Sequence, residues 1–415
     1  MSFLDHIDAC NNADLGQFEP WYVGSVRAGF TAMLNRGGSK TFRRSLASLL
    51  CAMAIVVTLG GTVRPASAQG YALSNDGSLL AFIAPDARTV GLLDWRAGTL
   101  KKIEVPPGNY VSSKPTFAPD GRTLHVGFLN SVATRRQFGI FDLATLQLIA
   151  RYDNSCPSDK AELVLQPGGK SVLTIVGSFP QFPHLCLFDL ETRSARIVLP
   201  EGEGFWGLGS LSFIADDEIL FVGQGPKDPD AVANLNNALK IAPVEPMKMP
   251  HVAYRLKFGG RPEIAFPEIL ERSKILMAPL GPMGPTQLVA SRNGEKVVYI
   301  DRSLSEEARI EELRKHPKAY AEPFRFDLFV IERGVRRQVT RLETPYPGIL
   351  ALSHDGSTAA VAFVTDEIPK DRHVFDLPSR TREPAIVDMS TGAVTRTDLL
   401  ARVRADPQFA PSSIK

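Results

Sequence analysis

The chain has 415 residues, of which 44% are hydrophobic, with 47 Lys and Arg set against 45 Asp and Glu. That length is ample for a sizeable core in one large or two modest domains. A charge so nearly balanced argues against nucleic acid or an anionic membrane surface as the main partner, because either favours a basic excess.

The first 32 residues, "MSFLDHIDACNNADLGQFEPWYVGSVRAGFTA", precede an internal methionine. Their Leu-Asp-His-Ile, Cys-Asn and Asp-Leu-x-x-Phe-x-Pro pieces resemble the opening of a small N-terminal domain that stands ahead of certain Nudix hydrolases. No Gly-x5-Glu-x7-Arg-Glu run follows to hold magnesium, so the resemblance implies no nucleotide hydrolysis. The segment reads as a start placed too early or a fragment fused upstream. Met33 opens an export signal that runs to Ala68. Arg36, Lys40, Arg43 and Arg44 form its basic region, Leu46 to Leu59 its apolar core, and Ala66-Ser67-Ala68 the small-residue pattern that signal peptidase accepts. The apolar run is shorter than the roughly 20 residues of a membrane-spanning helix. Cleavage is expected after Ala68, with no stable membrane span left behind, which places the remainder in a periplasm.

Beyond Ala68 one pattern recurs. A turn appears as "LSNDGS" at Leu73, "FAPDGR" at Phe117, "LQPGGKS" at Leu165, "FIADDE" at Phe213, "ASRNGE" at Ala290 and "LSHDGS" at Leu352. Each leads at once into a short apolar run such as "LLAFIA" or "KVVYID". Asp-Gly and Asn-Gly supply the positive-φ positions of a two-residue hairpin. A third strand ends in Asp in "VGLLDW", "FGIFDL", "HLCLFDL" and "PAIVDM", and a polar turn then leads to a fourth strand. The first turns are spaced 44, 48 and 48 residues apart. Six repeats of four antiparallel strands predict an all-β, six-bladed β-propeller over residues 69–402. The blades fall near 71–105, 112–153, 161–200, 209–268, 286–344 and 348–400, and 403–415 is left as a C-terminal tail. The repeats resemble the TolB-like (WD40-like) propeller family, most closely in "FAPDGRTLHVGF" and "DLFVIERGVRRQVTRL". That resemblance implies a fold more than a function. The separate α/β domain of TolB has no room between Gln69 and Tyr71, so TolB's partners are not implied.

With strands lettered A to D from the axis outward, the A–B and C–D turns share one face and are short. The B–C and D–A connections share the other. Long insertions, 225–250, 302–323 and 365–383, all fall between B and C, in blades four, five and six. Connections this long in a compact fold are usually functional or disordered. The blade-five insertion reads as a helix, with Ser303 as cap and Glu306 three residues on. Candidate contacts for a partner on this face are Asn234 and Asn236, Arg309, Arg314 and His316, and Arg372 and His373.

Cys156 and Cys186 are the cysteines left after cleavage, and in an oxidising compartment they are expected to pair. Gly-x-Ser-x-Gly, His-Glu-x-x-His and Cys-x-x-Cys are all absent from the sequence. "PGGKS" at Pro167 has Val164 where a phosphate loop needs Gly. His125, His184, His251, His316, His354 and His373 are scattered without ligand spacing, so neither a metal nor another cofactor is expected. The sequence therefore points to a monomeric, exported binding platform for a protein of the cell envelope, with nucleic acid excluded. The alternative is a propeller enzyme of the lactonase or dehydrogenase type, with its site at the axis of the insertion face.

Overall fold

The computed structural model describes residues 70–84, 86–130, 136–153, 156, 163–176, 183–199, 204–226, 229–239, 251–266, 287–303, 305, 325–342, 350–364 and 382–409. Residues 1–68, and with them the upstream segment and the export signal, lie outside that set.

Six antiparallel sheets follow one another along the chain, each built from consecutive strands paired in the order A-B-C-D. Blade one comprises Tyr71–Leu73, Leu79–Ile83, Thr89–Asp94 and Thr99–Glu104. The later blades span 109–153, 163–199, 205–264, 287–341 and 350–396. Together they form a six-bladed β-propeller. In blade two, strand A is broken into Asn109–Val111 and Thr116–Phe117, both paired with strand B.

Two turn chemistries explain the repeats. In the A–B connection of blade one, Gly77 N donates to Ser74 O and Ser74 N donates to Leu79 O, both at 2.9 Å. The connection is therefore four residues long, not the two-residue hairpin that Asp-Gly suggested. Gly77 takes φ +69°, a left-handed conformation that glycine adopts at no steric cost, whereas Asp76 does not. Instead Asp76 Oδ1 accepts from Ser74 Oγ at 2.7 Å and Ser78 N at 3.0 Å, and Asp355 repeats both bonds in blade six. In the C–D connections the strand-ending Asp closes the turn. Asp388 Oδ1 accepts from Ser390 Oγ, Ser390 N and Thr391 N. These bonds to the ionised form, the one from the Ser390 hydroxyl foremost, hold its pKa down at about 2.

The core is divided among the blade interfaces. Successive residues of a strand point to opposite faces of its sheet. In strand B of blade one, Leu80 and Phe82 pack toward blade six, while Ala81 packs toward blade two. In strand B of blade six (Thr358–Val364), Ala360 and Ala362 face blade one, and Ala359 and Val361 face blade five.

Among the described residues no strand passes between the first and last blades, and side chains pack across the seam. Helix α2 (Leu399–Ala405) and a following 3-10 turn (Pro407–Phe409), which include the start of the expected tail, pack over this seam. Leu399 and Val403 join the cluster shared by blades one and six. Phe409 stacks on Phe82 with ring centroids 6.0 Å apart, and Arg402 Nη1 donates to Gly98 O at 3.1 Å. Glu383, leading strand C of blade six, accepts from Leu399 N and Leu400 N and so caps the helix.

Leu399→Ala should therefore cost about 2–5 kcal/mol by urea denaturation, as for other buried Leu truncations. Val335→Ala, at a side chain 68% exposed, should stay within about 0.5 kcal/mol. Equal stability of the two variants would show that the ring does not depend on the seam.

Candidate functional site

The short A–B turns meet around the axis and interlock from blade to blade. Asn75 Nδ2 of blade one donates to Pro119 O of blade two at 2.7 Å. A Cβ on Gly169 of blade three would lie 3.2 Å from the Pro119 ring. Gly168 N and Gln166 Nε2 of blade three donate to Asp216 Oδ1 and Asp216 O of blade four, at 2.8 and 2.7 Å. Ala290 N of blade five donates to Ser212 Oγ of blade four at 3.1 Å. Arg292 N donates to His354 O of blade six at 3.1 Å. A Cβ on Gly77 would lie 2.7 Å from Thr358, which returns the circle to blade one.

Inside this circle the innermost strands line an open axial cavity of about 120 Å³. Leu73, Phe117, Leu165, Phe213, Val289 and Leu352 supply apolar wall, one or more from every blade. The polar lining includes Lys114, Thr116, Ser212, Arg292 and His354, and no Asp or Glu among the described lining residues. Arg292 reaches across the ring. Its Nη2 donates to Gln166 O of blade three at 3.3 Å, and its Nη1 lies 3.1 Å from His354 Nδ1.

Burial sets the protonation here. Desolvation lowers the Arg292 pKa to about 10, against the opposing pull of the Asp216 and Asp120 charges, so the guanidinium stays charged at neutral pH. Desolvation, then the adjacent Arg292 charge, brings His354 down to about 4. Neutral His354 can therefore accept from Arg292 through Nδ1. His125, in strand B of blade two, is also brought to about 4 by burial.

The opposite face carries the insertions. The B–C connections of blades four, five and six are residues 227–250, 303–325 and 365–381. The blade-four insertion, a long loop by sequence, contains helix α1 (Pro229–Leu239). Leu235 and Val232, three residues apart, bind the helix to the cluster of blades three and four. Asn234 is exposed, whereas Asn236 is only 7% exposed and its Oδ1 has no hydrogen-bond partner. Arg309, Arg314, His316, Arg372 and His373, and the expected blade-five helix beyond Ser305, lie outside the described residues. Ser303 Oγ does accept from Ser305 N at 3.2 Å.

On the same side Cys156, in the connection entering blade three, forms a disulfide with Cys186 of strand C, with Cα atoms 6.0 Å apart. His184 and His251 begin strand C of blades three and four. Among the described residues no three His, Cys, Asp or Glu side chains group as metal ligands, and no helix is long and apolar enough to cross a membrane.

Sequence reasoning passed over Arg292 and Lys114, and weighed His354 only as a metal ligand. Arg292 and His354 occupy the second position of their turns, where Asn75, Pro119 and Pro167 stand in blades one to three. A charge or imidazole at a position that is Pro elsewhere was the available signal.

No protein-family model and no curated protein matches the chain. Among solved structures it is similar to TolB from Acinetobacter baumannii, at 14% identity and TM-score 0.43 over 79% of this chain and 62% of that one. It thus spans under two thirds of that protein's length. Putative TolB from Agrobacterium tumefaciens matches at 12% identity and TM-score 0.43, over 69% of this chain and 86% of that one. An oligogalacturonate lyase in complex with manganese matches at 14% identity and TM-score 0.43, over 79% and 75%.

The depressed histidines give a pH dependence of known sign. With His125 at about 4 when folded and about 6.5 when unfolded, the unfolded chain binds the extra proton between those values. The stabilisation is complete above pH 6.5 and is lost on acidification toward pH 4, by about 3 kcal/mol for His125. Urea titrations at pH 7, 6, 5 and 4.5 should show this decline, and His125→Leu should flatten it. An unchanged slope in the variant would mean that His125 does not titrate with unfolding.

Proposed function

We propose that this chain is an exported β-propeller that serves as a protein-binding platform in the cell envelope. The partner docks on the face of the B–C connections. The observation that supports the reading best is α1. Blade four already closes its sheet without this helix, yet the helix is seated on it by Leu235 and Val232 and presents Asn234 to solvent. A rigid frame bearing added polar segments in three consecutive blades is the usual way a propeller is given specificity, since the frame holds its loops in fixed relation. Arg309, Arg314, His316, Arg372 and His373 belong to the same three connections and are proposed to share in the contact. The other face is suited to a structural role, because its turns are short and engaged with one another.

Export from Met33 with cleavage after Ala68 would deliver the propeller to the periplasm. A chain expressed with its own signal should then begin at Gln69 on N-terminal sequencing; a start at Met1 or Met33 would refute export by this route.

The docking face is tested by affinity capture from the periplasm with a C-terminal tag. A stoichiometric protein should co-purify with the parent and be lost when 225–250 or 302–323 is deleted, provided circular dichroism shows the propeller intact. Retention of that protein by both deletions would place its contact elsewhere.

A further inference from the structure

We propose that strand D of blade five, Val335–Arg341, takes up a short acidic peptide as a fifth strand at the rim of the propeller. The rim is distinct from the B–C connections, so this binding is independent of the docking face.

The turn before this strand departs from the Asp-closed pattern. Strand C ends in Glu332, and Arg333-Gly334 alone connect it to Val335, its partner in the ladder. Both take positive φ, +51° and +75°, as the two central residues of a type I′ hairpin turn do. Glycine adopts that conformation freely, whereas Arg333 is strained in it, with its charge set at the head of the strand. The tight turn carries the pairing up to the loop. Strand D therefore runs for seven residues, the longest outer strand among the described blades.

Strand D is last in its sheet, and no strand pairs with its outer edge among the described residues. An open row of backbone N–H and C=O groups is a template for an added strand. Blade six limits that row. A Cβ on Gly392 would lie 2.3 Å from Val339 O, so the C–D turn of blade six closes on the edge there. Val335 to Gln338 remain open, room for a peptide of about four residues at ~3.3 Å each. Val335 is 68% exposed, more than any other large hydrophobic among the described residues.

Charge selects the peptide. Arg333, Arg336 and Arg337 fall within five residues that contain no Asp or Glu. None of the three forms an ion pair with a described residue. Glu332 beside them pairs with Lys296 at 4.0 Å, and Asp388 of the blade-six turn is held by Ser390 and Thr391. Arg341 is left out of the site, because Asp327 stands opposite it in the ladder.

Basic residues on an edge strand also serve simply to keep other strands away. Two observations go beyond that role. Arg337 is exposed yet anchored, its Nη2 donating to Met389 O at 3.0 Å. Arg336 lies with its Cζ 4.3 Å from the centre of the Phe329 ring, and its Nε and Nη2 are buried without a hydrogen-bond partner. A repelling charge gains nothing from being held, whereas a pre-positioned guanidinium loses less freedom when a carboxylate arrives. A carboxylate that draws Arg336 outward also satisfies two donors that now have no acceptor. Val335 and the open edge favour a peptide over a nucleic acid, which offers neither an aliphatic side chain nor a strand ladder.

Fluorescence anisotropy of the full chain tests the site. The probe is labelled acetyl-Asp-Glu-Val-Glu-Asp-amide. Its controls are the Asn-Gln-Val-Gln-Asn form and two copies N-methylated on alternate backbone nitrogens, one in each phase. The acidic peptide should bind, with the Asn/Gln form weaker by about tenfold or more and one N-methylated copy weakened likewise. Arg333→Gln with Arg337→Gln should weaken binding by about tenfold or more, with circular dichroism unchanged. Lys101→Gln, on the outer strand of blade one, should leave it unchanged. Should the double variant fail to fold, the peptide comparisons on the parent carry the decision. The proposal is overturned if the acidic peptide does not bind, if the Asn/Gln form binds alike, or if both N-methylated copies bind as well as the parent peptide. It is equally overturned if the double variant keeps the affinity, if Lys101→Gln weakens it as much, or if a DNA oligomer binds more tightly than the peptide.

Discussion

Ring closure is the constraint on which the rest of this structure depends. Each blade is made from consecutive chain, so no hydrogen-bond ladder runs from one blade to the next. Cohesion comes from six apolar clusters, each shared by two neighbours. The period-two alternation of a strand makes this possible, because one strand feeds two interfaces with alternate residues. A one-residue slip of Leu79–Ile83 would send Leu80 and Phe82 to the wrong neighbour. Register is thus fixed by both sides at once.

The seam between blades six and one is the demanding case. Blade six offers it Ala351, Ala360, Ala362 and a single larger residue, Ile386. Small side chains leave volume that must be filled, since interiors are packed to crystal-like density. Blade one contributes Tyr71, Leu73, Leu80, Phe82 and Leu93, and Leu399, Val403 and Phe409 add to them from the last helix and the turn after it. The last helix is therefore part of the propeller's core. Its dependence on Glu383 for capping ties it to strand C of blade six, and Arg402 ties it to the C–D turn of blade one.

What the sequence revealed follows from where each signal lies. Asp76, Asp355 and Asp388 act within six residues of their own chain positions, so their turns are visible in a linear pattern. Cys156 and Cys186 could be paired because they are the two cysteines that follow the expected cleavage site. Helix α1 was hidden because Val232 and Leu235 supply only a short apolar stripe within a polar stretch, and two residues do not distinguish a helix from a loop. Helix α2 was hidden for a different reason: Leu399 and Val403 have meaning only against Phe82 and Trp95, some three hundred residues away. The axial residues were the least legible. Gln166, Arg292 and His354 sit in the repeated turn, but at positions whose residue type changes from blade to blade, and only the closing of the ring brings them within 3.3 Å of one another's groups.

A half-buried arginine loses part of its hydration, and a loose scaffold would let it swing out to water. Here its backbone N–H is bonded to His354 O, its side chain spans to Gln166, and Gln166 is itself held by Asp216 of the next blade. Three blades thus fix one side chain. His354 contributes because burial keeps it neutral; were it charged, Arg292 would face a second cation in place of an acceptor. The same packing that closes the ring therefore holds a charge inside it, and the rigidity of the propeller turns a repeated turn position into a defined pocket.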